Sequence, residues 1–259
     1  MPATYAHYRF GAQMLGSMPA DLSRTAKRHR RLFDVGLHGP DLFFYYHPAF
    51  NTRVGKLGSK FHKQTGREFF TRVCRSLRLE PSEAGQAYLY GVLCHYALDT
   101  QCHPLVETVS AEAGVSHTCL ETEFDRFLLE LDNKPGRMSL TKHLHLTRPE
   151  CAVVSRFYPS TEPGHIREGL SGMVRVRKAL ELPDGRLRDV VSKTVSLGSD
   201  VFRDMMEDTQ SNPVRGEWNR LLLERYQQSA RIFPELLLRL AAHLAYNAPL
   251  VEGFDPIFG

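Results

Sequence analysis

AYLYGVLCHYALDTQCHP, residues 87–104, decides the fold. The stretch leading to His95 is apolar on every side, which predicts a helix enclosed by protein rather than one lying at a surface. Set into it are His95, Asp99 and His103, four residues apart. On a helix each such step turns by about 40°, so the three side chains project within a sector of roughly 80°. An unpaired buried carboxylate is costly, and proteins avoid that cost by protonation, pairing or metal coordination. With two imidazoles on the same face, coordination is the simplest account.

Working outward, apolar periodicity predicts helices near 3–15, 21–32, 59–78, 83–103, 116–131, 166–181, 186–207 and 216–245, with almost no strand alternation. Ser59 after Gly58 is expected as an N-cap, Pro81 and Ser82 open the central helix, and Pro104 is expected to close it. A kink is expected at Pro234 in the last helix. Residues 132–165, with NKPGR, YPS and EPG, form the loosest stretch and are expected to act as a linker or flap. The class is all-α, and the 259 residues with 42% hydrophobic content suffice for a large core. One domain spanning 1–259 is expected, its C-terminal helices over 150–250 completing a bundle.

Charge and cysteines bound the setting. There is no apolar run of about 18 residues, and MPATYAHYRF lacks a secretory signal pattern, so no transmembrane segment and a cytoplasmic location are expected. Five cysteines without a CxxC suit a compartment that keeps thiols reduced. The net charge of +4 is mild, and KRHRR at 27–31 reads first as a solvated helix face.

A second ligand pair faces the first. In HTCLETEFDRFLLELD, His117 and Glu121 stand four apart on one face, beside an apolar surface of Leu120, Phe124, Phe127 and Leu128. Upstream, Asp41 sits in a Gly-Pro turn, His62 in KFHKQTGREFF, and His7 near the start. A lone histidine is more often a hydrogen-bonded core residue than a ligand. Here four-residue pairs on two helices, with further histidines and a carboxylate upstream, share the first half of the chain. His29, His165 and His243 read as surface or cap residues, HLH at 143–145 as part of a turn-rich region, and His38 and His47 stay open.

The ordered string His7, GPD at 39–41, His62, HYALD at 95–99, CHP at 102–104 and HTCLE at 117–121 resembles the zinc-dependent phospholipase C and P1 nuclease superfamily. The resemblance implies an all-α bundle around a cluster of two to three zinc ions. It implies that Asp41, His62, His95 and Asp99 hold one ion and His103, His117 and Glu121 a second. Asp99 would bridge to a third, bound by His7 and, in secreted relatives, by the backbone of the mature first residue. In this chain that terminal ligand is expected only after removal of Met1, which leaves Pro2. Leu42 stands where the phosphatidylcholine-cleaving enzyme has a choline-contacting tyrosine, so choline specificity does not transfer.

Imidazole and carboxylate sets suit zinc, which lowers the pKa of a bound water to about 7, and paired ions can clamp a phosphoryl group. The expected activity is a metal-dependent, phospholipase C-like phosphodiesterase with Asp41 orienting or deprotonating water, acting on a small phosphodiester or phospholipid head group. FFYY at 43–46 could line its pocket or pack the core. A P1-like single-strand nuclease and a non-catalytic metal-stabilised helical protein are the alternatives, nucleic acid being the less favoured substrate. No histidine is followed by aspartate, and HExxH, GxSxG and GxxxxGK are absent, which removes support for other hydrolase classes.

Overall fold

The central helix starts where Ser82 Oγ accepts the Gly85 N–H at 3.0 Å, and stops at Gly114, whose φ of +64° makes the left-handed turn that ends it. The computed structural model describes residues 4–48, 50–135, 140–180 and 213–259. In chain order its elements are α1 (Thr4–Ser17), α2 (Ala20–Arg28), α3 (Arg30–Gly36), a 3-10 segment (Gly39–Tyr45), α4 (Leu57–His62) and α5 (Gly66–Leu79). They continue with the central α6 (Glu83–Ala113), α7 (His117–Leu131), α8 (Arg148–Ser155), α9 (Pro163–Leu180) and α10 (Pro213–Tyr246). The class is all-α; among the described residues the only β feature is an isolated bridge between Thr65 and Ile257. The helix expected over 186–207 lies outside the described residues.

α6 is buried at every residue from Ala87 to Asp99, as its all-round apolarity predicts. Helices α1, α2, α3, α7, α8 and α10 pack around it. The closest approach is backbone to backbone: a Cβ on Gly91 would lie 2.2 Å from the Phe33 carbonyl oxygen, and one on Gly36 2.5 Å from that of Tyr88. This crossing of α3 over α6 lets the chain leave α3 directly above His95.

Several boundaries differ from the sequence-based expectation. α6 does not close at Pro104. The proline withdraws one amide from the Thr100 carbonyl on a half-buried turn, while Cys102, His103 and Val106 remain packed on the other side. Ser59 is not an N-cap. The expected 59–78 helix is two helices, and α5 starts at a capping box in which Thr65 Oγ1 accepts the Glu68 N–H and Glu68 Oε2 accepts the Thr65 N–H. The 21–32 helix breaks at His29, with φ −110° and ψ 44°. Within 132–165, Thr147 and Glu150 form another capping box and start α8, so the stretch is not all linker. α10 stays helical through Pro234.

Two other assignments are settled by packing. Three of the four KRHRR cations are paired, Arg28 with Glu83 at 2.6 Å, Arg30 with the buried Asp34 at 2.6 Å and Arg31 with Glu150 at 3.0 Å. His243, expected as a surface or cap residue, is buried and takes the capping role, donating from Nδ1 to the Ala248 carbonyl at 2.6 Å. It fastens the turn after α10.

After that turn, residues 247–259 run across the α4–α5 junction. Gly66 N–H donates to Pro256 O at 2.9 Å and Phe258 N–H to Gln64 O at 3.2 Å. Tyr96 of α6 donates to the Gly253 and Pro256 carbonyls at 3.0 and 3.1 Å. The strap thereby carries Phe258 into the core among Phe69, Phe70 and Tyr96.

The α3–α6 contact makes a prediction about stability. Gly91→Ala inserts a methyl group against a carbonyl and is expected to cost about 1–3 kcal/mol. Gly16→Ala, with open space around the added methyl, is expected to be neutral or stabilising by up to about 1 kcal/mol. Thermal unfolding of both variants checks this; equal midpoints would contradict a backbone contact at Gly91.

Candidate metal centre

Several helix ends and the α3–α6 crossing deliver polar side chains to one interior region. α1 is docked by Asp125 of α7, whose two oxygens accept the Tyr5 N–H at 3.0 Å and the Ala6 N–H at 2.8 Å, a carboxylate on a helix N-terminus. The next residue is His7. Beyond the α3–α6 crossing, Gly39 adopts φ +44° and presses on the ring of His95, where a Cβ would come 2.7 Å from Cδ2. That turn aims Asp41. His62 ends α4 and donates from Nδ1 to the Gly58 carbonyl at 2.7 Å, which leaves Nε2 directed at Asp41. α7 begins at the Ser116 N-cap and presents His117 and Glu121 to His103.

The structure brings all eight sequence-predicted residues together. Asp99 is central, with Oδ1 3.2 Å from His7 Nε2 and Oδ2 3.1 Å from His95 Nε2 and 3.6 Å from His103 Nε2. Asp41 Oδ1 is 3.0 Å from His62 Nε2. Glu121 Oε1 is 3.1 Å from His117 Nε2 and 3.4 Å from His103 Nε2. Three groups of potential ligands result: His7, His95 and Asp99; Asp41, His62 and His95; and His103, His117 and Glu121. Asp99 is thus grouped with His7 and His95 rather than with Asp41 and His62, and His95 is the shared residue. Residues 1–3, including the expected terminal ligand, lie outside the described residues.

Seven of the eight are buried, and His117 is half-buried. Burial alone raises a carboxyl pKa, yet around Asp99 the field of His103, His95 and His7 outweighs it and holds the group at about 2. Asp41 and Glu121 are likewise held well below the usual carboxylate range, against their burial, by nearby positive charge, to which His95 and His62 contribute at Asp41 and His117 and His103 at Glu121. Burial drives His95 down to about 4 despite Asp99 and Asp41. His103 goes the other way, to about 9, because Asp99 and Glu121 overcome the effect of burial.

The donor set fits a metal. Asp41 Oδ1, His62 Nε2, His95 Nε2, Asp99 Oδ2 and His103 Nε2 are buried and make no hydrogen bond, although they lie within 3.0 to 3.6 Å of one another in the pairs above. Their lone pairs converge without the alignment a hydrogen bond requires. Bonds to zinc of about 2.0–2.1 Å in a tetrahedron place neighbouring ligand atoms about 3.3 Å apart, within that range.

Other residues at this centre were not singled out from sequence. His38 is fully buried, 6.3 Å from the His7 ring, with Nε2 2.8 Å from His143 Nε2. His143 stacks on Tyr8 and His38, so HLH is not merely turn. Burial keeps His38 well below the usual histidine range and His143 at about 4, so the pair is neutral. Only the short spacing from His38 to Asp41 hinted at this; nothing local marks His143. The strap contributes too, with the Phe258 ring 6.2 Å from His95 and Gly259 against His103, where a Cβ would lie 1.7 Å from Nδ1. In FFYY, Phe43 and Tyr45 are core, and Phe44 lies 5.2 Å from the His62 ring. Leu42 is fully buried.

A family of zinc dependent phospholipases C matches residues 6–156, the segment that carries all eight of these side chains. No curated protein and no solved structure matches the chain. The matched segment exceeds half of the 259 residues, and the chain belongs to the zinc dependent phospholipase C family.

Proposed function

We propose that the chain is a metal-dependent phosphodiesterase of phospholipase C type, acting on a small phosphodiester or a phospholipid head group. The observation that carries this is the convergence of three ligand groups, one sharing His95 and one adjoining Asp99, in a single interior region. In this reading Asp41, His62 and His95 would hold one zinc and His103, His117 and Glu121 another, and Asp99 with His7 would supply further ligands beside both. Zinc, when bound, supplies activation of water and stabilisation of charge on a phosphoryl group.

The remaining roles belong to the chain. Asp41, ionised and fixed by a turn that Gly39 permits, accepts the proton of the attacking water. His62, fixed by the Gly58 carbonyl, keeps Nε2 toward Asp41. The apolar shell of α6 excludes bulk water and so strengthens every charge interaction inside. All of 1–259 acts as one domain in this reading, supported by the packing of α10 on α5, α6 and α7. The described helices include none long and apolar enough to cross a membrane. A cytoplasmic location belongs to the same proposal, supported by five free cysteines.

Zinc-reconstituted protein is expected to cleave bis-p-nitrophenyl phosphate, with Asp41→Asn lowering the rate at least about 100-fold. Parallel assays on p-nitrophenylphosphorylcholine and single-stranded DNA separate lipase-type from nuclease-type specificity. Bound zinc without cleavage of any phosphodiester would reject the hydrolase and leave a metal-stabilised scaffold.

Ligand roles predict an order of damage. Asp99→Asn is expected to lose more zinc than Asp41→Asn, because Asp99 contacts His7, His95 and His103 whereas Asp41 pairs with His62. Elemental analysis of the two purified variants decides it, and equal zinc retention would contradict a bridging role for Asp99.

A further inference from the structure

α9 lies beyond the segment that the family match covers, yet it is bolted to the turn that holds Asp41. A Cβ on Gly172 would lie 1.9 Å from the Tyr45 carbonyl oxygen, and one on Gly169 2.7 Å from that of Leu42. Tyr45, Leu144, Met173 and Val176 close into a small apolar cluster beside this contact. The residue after Val176 is Arg177, and its side chain is only 9% accessible.

This guanidinium has not been given a full set of partners. Nε and Nη2 are buried and make no hydrogen bond. The nearest carboxylate oxygen, Asp125 Oδ2, is 3.6 Å from Nη2, and both Asp125 oxygens already accept N–H groups from the start of α1. Nε–H and Nη2–H point along one edge of the planar group, the edge that grips carboxylate or phosphate through two parallel bonds. A buried charge with its donor edge unfilled is unfavourable unless something charged and oxygen-rich fills it.

The location suits such a ligand. Asp125 is one turn beyond Glu121 on α7, and its other contact is the helix that presents His7. α9 packs on the 3-10 segment that carries Asp41. Arg177, Asp41, Glu121 and Asp125 all act electrostatically on the buried Tyr45 hydroxyl, and Arg177 acts also on His143 of the His38–His143 pair.

We propose that Arg177 is an anion-binding residue of this centre, its Nε–Nη2 edge taking two oxygens of a phosphoryl group. The proposal rests on the phosphodiesterase reading for its substrate, and extends it with a residue outside the matched segment. Arg177 binds and orients the phosphoryl group, while α9 fixes the guanidinium through Gly169 and Gly172.

The test measures inorganic phosphate binding by calorimetry on zinc-loaded wild type, Arg177→Met and Arg177→Lys, with zinc content determined on each. Wild type is expected to bind phosphate, Arg177→Met at least tenfold more weakly, and Arg177→Lys in between, because lysine keeps the charge without the two-donor edge. Zinc content is expected to be the same in all three. Should Arg177→Met fail to fold, a loss of at least about threefold in Arg177→Lys carries the proposal, and a smaller change overturns it. A wild type that binds no phosphate, or a folded Arg177→Met with wild-type affinity and only a lowered melting temperature, also overturns it and leaves Arg177 as a counter-charge to Asp125. Phosphate affinity lost in Arg177→Met, in a protein that cleaves no phosphodiester, keeps this anion site and rejects the hydrolase reading instead.

Discussion

A carboxylate in the middle of an apolar helix is the constraint around which this molecule is arranged. Asp99 occupies a helix buried at every residue from Ala87 to Asp99, and three imidazoles from α1 and α6 hold its charge. Without them, burial would drive the group to its neutral form. The imidazoles need placing in turn, and much of the architecture does that placing. Asp125 docks the start of α1 so that His7 reaches Asp99, and Ser116 starts α7 so that Glu121 reaches His103.

Glycines set the distances. At Gly36 and Gly91 two helices touch through their backbones, which seats the following turn on the ring of His95. Gly39 bends that turn with a positive φ and brings Asp41 to His62. Gly169 and Gly172 repeat the device from the opposite side, laying α9 on the backbone of the same turn. The Asp41 segment is therefore held between α6 and α9, and its geometry does not depend on side-chain packing alone. Such support from rigid elements is what keeps a site oriented within fractions of an ångström.

The family match ends at residue 156, while the centre does not. α9 packs on the backbone of the Asp41 turn, and the strap after α10 adds Phe258 beside His95 and Gly259 against His103. The ligand set belongs to the matched half and its enclosure to the other. Enclosure governs how dry the site is and which charges a ligand meets, so differences in substrate among such chains can arise from segments that carry no ligand.

Five of the eight candidate ligands were legible because their signals are local, and His7, Asp41 and His62 came only from the ordered string that resembles the family. A four-residue interval in an apolar helix implies a shared face whatever the rest of the chain does, and it marked His95, Asp99, His103, His117 and Glu121. Cap residues with side chains beside their targets were legible for the same reason, as at Ser82; the boxes at Thr65 and Thr147 used that chemistry and were overlooked. Pro104 misled because an intrinsic preference of one residue is smaller than the packing that surrounds α6. His143, Arg177 and the strap left no readable trace, since His38 meets His143 across 105 residues and Arg67 meets Asp255 across 188. Periodicity and capping act over one or two helical turns, and so the sequence by itself determined the all-α class, the central buried helix and the two four-residue candidate ligand sets on α6 and α7. Which distant groups meet depends on where backbones can touch, and only the tertiary structure decided how the candidate ligands group, that the His38–His143 pair lies beside His7 and that Arg177 is buried against Asp125.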